Sequence, residues 1–210
     1  MKTDDLISAL AADSVAEPPL THGLALRLGL ALAACIISVG MVLGFRTDLG
    51  SAVLAPLSAL RFVLTLGLFA VGLRMMLVVA RPEGADLLRY TPLTAIAVLA
   101  GAAVVWALTT TPPGGVPMAV QGKTMVWCLT MIPLLSVLPV TVLLLVLRRG
   151  ATSRPRLAGA MAGLAGSAGA AATYALHCTE DSPLFYVTWY GLAMAVVTLA
   201  AAWIGGRVLR

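Results

Sequence analysis

VWCLTMIPLLSVLPVTVLLLVLRR, residues 126–149, carries no charged side chain before Arg148. A helix needs about 20 apolar residues to cross a bilayer, and 126–147 meets that length before two arginines end it. The run is continuous rather than alternating, which argues for a spanning helix and against a membrane β-barrel. Pro133 and Pro139 inside it predict a kinked helix.

Working outward, five further apolar runs fall at about 24–45, 57–80, 92–110, 157–176 and 184–204. The 210 residues are 60% hydrophobic and 11% charged, with mean hydropathy +0.98. A soluble domain of this length has too little interior for that much apolar surface. The expected fold is therefore all-α: a polytopic bundle of six transmembrane helices (24–210), preceded by a short N-terminal segment (1–23). The connections TTPPGGVP (110–117) and HCTEDSP (177–183) read as turns.

Basic residues set the expected orientation. Lys2, Arg27, Arg81, Arg89, Arg148, Arg149, Arg154, Arg156, Arg207 and Arg210 fall on one side of a six-span chain, and Arg46, Arg61 and Lys123 on the other. Ten against three places both termini in the cytoplasm. Arg74 lies within the second run and is expected to snorkel. The net charge of +5 is thereby explained by topology, without nucleic-acid binding. Residues 1–23 carry one Lys against Asp4, Asp5, Asp13 and Glu17, unlike a secretory signal.

In TDDLISALAAD (3–13), Leu6, Ile7, Leu10 and Ala11 share one helical face, with Asp4 and Asp5 at the positive end of the helix. This short acidic amphipathic helix is either a frayed tail or a peptide that folds on a cytosolic partner, with Asp4, Asp5, Leu6, Ile7, Leu10 and Asp13 as the contact residues. In the fifth run, Gly159, Gly163, Gly166 and Gly169 form a small-residue surface for close helix packing.

Polar chemistry gathers in YALHCTEDSPLFYVTWY (174–190), on the predicted outer face. Cys128 lies at the outer end of the fourth run and Cys178 in this turn, while Cys35 lies mid-span as a small buried residue. Cys128 and Cys178 admit a disulfide, a soft-metal site with His177 and Met125, a redox sensor, or two unrelated thiols. Asp181, before Ser182 and Pro183, is expected to cap the sixth helix. Tyr186, Trp189 and Tyr190 read as an interfacial aromatic belt.

MKTDDLISALAAD, WCLTMIPLLSVLP, RRGA, AGAMAGLAGSAGA and YALHCTEDSPLFYVTWY together resemble the NrsF-type membrane anti-sigma factors. The resemblance implies six spans in a bacterial inner membrane and a cytosolic N-terminal segment that binds an extracytoplasmic-function sigma factor. It further implies that the cysteines matched by Cys128 and Cys178 take part in sensing metal stress. It carries no role for His177. No catalytic residue and no resident cofactor are expected; a soft ion such as Cu(I) or Cd(II) is a candidate signal, with Cys128, Cys178, His177 and Met125 as candidate ligands. A membrane thiol or quinone oxidoreductase is the alternative, weakened by the lack of a CxxC pair. A small transporter would want ionisable groups at mid-membrane, where only Arg74 is a candidate.

Overall fold

The structure, a computed structural model, describes residues 3–12, 21–84 and 90–209. Among these residues it is all-helical. After α1 (Thr3–Ala12) come α2 (Leu24–Ser38), α3 (Leu49–Leu54), α4 (Pro56–Val79), α5 (Thr91–Thr110), α6 (Val116–Gln121), α7 (Met125–Leu147), α8 (Pro155–Tyr174) and α9 (Pro183–Val208). Prolines at the first turns of α4, α5, α6, α8 and α9 suit helix starts, where the missing N–H is not needed. The short helices α3 and α6 lie in stretches that the sequence reading treated as connections; at six residues each they are too short to register as periodic patterns.

Five helical stretches are long and apolar enough to cross a membrane: Leu24–Leu43, Pro56–Val79, Pro92–Thr110, Pro113–Leu147 and Pro183–Val208. They match five of the six predicted runs. The remaining run, 157–176, coincides with α8, which has 20 residues but is dominated by Ala and Gly. Its place in the fold explains that composition. α8 is the central helix, packed against α2, α4, α7 and α9, and every residue from Ala165 to Ala175 is buried.

Close approach requires the small residues. A Cβ on Gly205 of α9 would lie 2.7 Å from the Cα of Gly159, so these helices meet backbone to backbone. A Cβ on Gly72 of α4 would lie 3.0 Å from the backbone nitrogen of Ala165. The large apolar side chains point the other way: Leu26, Leu30, Val98, Val105, Leu134, Leu145, Leu199 and Trp203 are all exposed. Small inside and large outside is the pattern of a bundle whose surroundings are as apolar as its interior.

The predicted prolines of α7 sit inside the helix. Pro139 has no N–H for the carbonyl of Leu135, four residues earlier. The Cys35 thiol of α2 donates to that carbonyl at 3.3 Å. Cys35 is buried as expected, and it also supplies a donor that the helix itself lacks.

Two apolar clusters divide the bundle along its length. One joins Leu24, Val79, Leu147 and Ala158; near it, Ser153 donates to the Pro82 carbonyl. The other joins Cys128, Ile132, Tyr174, Cys178, Phe185 and Tyr190. The polar site lies at this second end.

Candidate functional site

The site is built on the turn between α8 and α9, residues 175–182. α2 runs into a π-helical turn, Val39–Leu43, closed by Gly44 at φ 78°. The extra residue of a π turn re-aims the chain. Here it places the Gly44 carbonyl 2.8 Å from His177 Nδ1. A carbonyl only accepts, so Nδ1 carries the proton. Two residues on, the Arg46 N–H donates to the Leu176 carbonyl at 3.0 Å.

Two guanidinium groups then fasten the turn. Arg46 makes paired bonds to Asp48, at 2.8 and 2.9 Å, and to Asp181, both at 3.0 Å. It also donates to the Cys178 carbonyl at 3.3 Å. Arg61, on α4 and 0% exposed, donates to the Glu180 carbonyl at 2.9 Å and to the Ala175 carbonyl at 3.4 Å, and lies 3.5 Å from Asp181. Ser58 accepts from both arginines at 3.4 Å. At the end of α8 the carbonyls of Ala171, Thr173 and Tyr174 accept from backbone N–H groups of residues 175–178, and the arginines serve the carbonyls of the turn beyond, which have left the helix. Burial alone would raise the Asp181 pKa, but bonding from Arg46, Ser58 and the nearby Arg61 outweighs it and holds the carboxyl below its ordinary value.

The loop before α7 is tied to the same turn. Glu180 Oε1 accepts the Lys123 N–H at 2.8 Å. Gly122 turns the chain at φ 57°, where a side chain would also overlap the Phe185 ring. Trp189 donates to the Val120 carbonyl at 2.7 Å. α7 therefore starts beside the turn, and Cys128 and Cys178 come together in one buried cluster. Both are free thiols, 0% and 1% exposed. Tyr174 lies against them, its hydroxyl 3.8 Å from Cys128 Sγ, and Thr124 Oγ1 lies 3.9 Å from Cys178 Sγ. Bonding from the Cys128 thiol comes first among the causes that pull the Cys178 thiol below its ordinary value, against burial; Tyr190 and Arg61 add to it. A thiolate is the reactive form for oxidation and for soft-metal binding.

The readings of Asp181 and of the two tyrosines need correction. Asp181 does not cap α9; Ser182 holds that position without a side-chain cap bond, because the Asp181 carboxylate is drawn to Arg46 and Arg61. Tyr186 and Tyr190 form no surface belt. Both are buried against the bundle, and Tyr190 stacks at a tilt on Tyr174, 5.9 Å between centroids. Arg74 is exposed, and the buried ionisable group of α4 is Arg61. Met125 packs beside the thiol cluster, while His177 spends Nδ1 on Gly44. Among the described residues no three His, Cys, Asp or Glu side chains are grouped to hold a metal ion. Asp4, Asp5 and Ile7 of α1 are exposed, and Asp13 lies outside the described residues. Sequence reasoning missed Arg46, Arg61, Tyr174 and Tyr190 as site residues. Arginine next to an apolar run, already noted for topology, was the available signal.

A family described as NrsF, Negative regulator of sigma F, matches residues 9–210. Two relatives align over 213 positions, covering 100% of both chains: "Anti-sigma-F factor NrsF" of Caulobacter vibrioides (strain NA1000 / CB15N) at 32% identity, and "Probable anti-sigma-F factor NrsF" of Azospira oryzae (strain ATCC BAA-33 / DSM 13638 / PS) at 33%. No solved structure matches.

Proposed function

We propose, from the premise that this chain belongs to the NrsF family of negative regulators of sigma F, that it is a six-span inner-membrane anti-sigma factor. Residues 1–23 hold a sigma factor of the extracytoplasmic-function class in the cytoplasm, and the Cys128–Cys178 pair receives a soft-metal or oxidant signal on the opposite face. The observation that carries this reading is the pairing of two free, buried thiols from separate elements, α7 and the α8–α9 turn.

Several features support it. The basic bias puts the thiol end outside and both termini inside. The sixth span is α8, sheathed by helices apolar enough to cross. Ile7 leaves an apolar side chain exposed between exposed Asp5 and Ser8, as a docking helix would.

Two chemistries fit the pair. The thiols lose two protons and two electrons to an oxidant and form a disulfide, or they lose protons and bind a soft cation such as Cu(I) or Cd(II), with Met125 beside them to add a thioether. Bringing in His177 requires its free Nε2 to turn toward the sulfurs. Either event ties α7 to the end of α8. The signal acts by its differential affinity for the holding and releasing states, so α8 carries the change to the cytoplasmic end.

The test is induction of a sigma-dependent reporter by soft metals and thiol oxidants. Cys128→Ser, Cys178→Ser and the double variant should each change induction, while Cys35→Ser should leave the signal response in place. A wild-type response in the double variant removes the pair from the mechanism. Leu6→Asp or Leu10→Asp should release the sigma factor, since burying one Leu contributes about 1.5–3 kcal/mol, roughly ten- to a hundredfold in affinity.

A further inference from the structure

A second site lies beside the thiols. A cavity of about 230 Å³ opens between α4, α5 and α9. Its walls are mostly apolar, from Leu64, Leu68, Ile96 and Met194, but Arg61 and Tyr190 also line it. Arg61 Nε is a buried donor with no hydrogen-bond partner, and the buried Tyr190 hydroxyl has only the weakly accepting Cys178 thiol beside it. An unpaired donor such as Arg61 Nε costs about 1–3 kcal/mol in an apolar interior, and a thiol sulfur accepts only weakly, so a bound oxygen acceptor has something to gain at both groups.

The charge around the cavity selects the kind of acceptor. Arg46 and Arg61 are matched by Asp48 and Asp181, two cations against two anions. A carboxylate or phosphate would add an unmatched negative charge at a buried place, whereas a neutral carbonyl adds none. The volume lies below the roughly 300–1,000 Å³ of sites for drug-sized ligands, which suits one ring or one ester head.

We propose that this cavity binds a neutral carbonyl group carried on an apolar body, the oxygen accepting from Tyr190 and Arg61. A quinone ring and the ester carbonyl of a lipid are the two sources of that chemistry in a membrane. Bound there, the head lies next to Tyr190, which packs against Tyr174 in the cluster that holds both thiols. The occupant would thus be a second input to the cysteine site, independent of whether the chain holds a sigma factor.

The experiment uses the full chain in nanodiscs of ether-linked lipid, which contribute no ester carbonyl. Native mass spectrometry counts bound molecules as a short-chain benzoquinone or dioctanoylglycerol is titrated. Saturable binding of one molecule per chain is expected, and the probe that binds identifies the source. Gly191 lines the cavity, and a Cβ there would meet no atom within 4 Å. Gly191→Leu should therefore fill the space without a backbone clash and abolish binding. Tyr190→Phe keeps the ring and removes one donor, and should weaken binding about tenfold. Binding of neither probe, or wild-type affinity in Gly191→Leu, overturns the proposal. Should Gly191→Leu not fold, Tyr190→Phe decides alone, and unchanged affinity there overturns it.

Discussion

Replacing Arg61 with Met keeps most of the side-chain length and removes every donor. In the structure the main loss is the 2.9 Å bond to the Glu180 carbonyl, a charge-assisted bond whose net contribution is about 1.5–3 kcal/mol. The 3.4 Å contacts to Ala175 and Ser58 are long and add less. Against this, the variant no longer buries a guanidinium with an unpartnered Nε. A net cost of about 2 kcal/mol remains, concentrated on the turn 175–182, because Arg61 holds that turn from α4. This should appear as local opening rather than global unfolding. Cys128 and Cys178 are 0% and 1% exposed, so a maleimide reaches them only through such openings. Alkylation of these two cysteines, resolved from Cys35 by peptide mass, should speed up about 30-fold in Arg61→Met. Arg61 also favours the Cys178 thiolate, so its loss works against reactivity near neutral pH. Measurement at about pH 9.5, above the ordinary thiol value of ~8.5, removes that opposing effect. A rate within about threefold of wild type there would refute the idea that Arg61 fastens the turn.

Three further outcomes follow from the same geometry. The Asp181 carboxyl is held below its ordinary value, so its contribution to stability is present above the unfolded value of about 3.9 and is lost as pH falls through the folded value; the melting-temperature gap between wild type and Asp181→Asn should shrink on acidification, and a gap that widens would contradict the ion pairs. Gly205→Val should leave little folded protein in membranes, since even its Cβ meets the backbone of Gly159 and overpacking costs at least about 1–3 kcal/mol; wild-type yield and melting would show that α8 and α9 do not meet there. Cys35→Ala should cost about 1 kcal/mol in wild type and almost nothing in a Pro139→Ala background, where the helix regains its own donor to Leu135; additive effects in this double-mutant cycle would separate the two residues.

Much of the bundle was legible because apolar runs and their polar interruptions are local features of the chain. The pairing of α7 with the α8–α9 turn was partly legible, through two cysteines at similar depth and the small-residue face of α8. What escaped depends on contacts between distant positions. Asp181 carries the local pattern of a helix cap, yet two arginines from the α2–α3 connection and from α4 compete for its carboxylate and win. Tyr186 and Tyr190 have the composition of an interfacial belt, but they share a helix face, four residues apart, and that face turns inward. Arg61 looked like one more outer-face charge until Glu180 and Ala175 supplied carbonyls to bury it. The partner of Cys35 was hidden for a related reason: a proline on another helix creates the need that the thiol meets.

The composition of α8 bears on how the protein is made. On the six-span arrangement proposed above, its Ala- and Gly-rich surface offers lipid little, and its fit is to α2, α4, α7 and α9. Its most extensive partner is α9, which leaves the ribosome after it. A nascent chain ending just past Tyr174 would then hold α8 only weakly in the bilayer, and emergence of α9 would complete its insertion. Truncations that remove α9 should leave the α8 segment accessible from the cytoplasm, turning α9 into a checkpoint on whether the sensing turn reaches the far side at all.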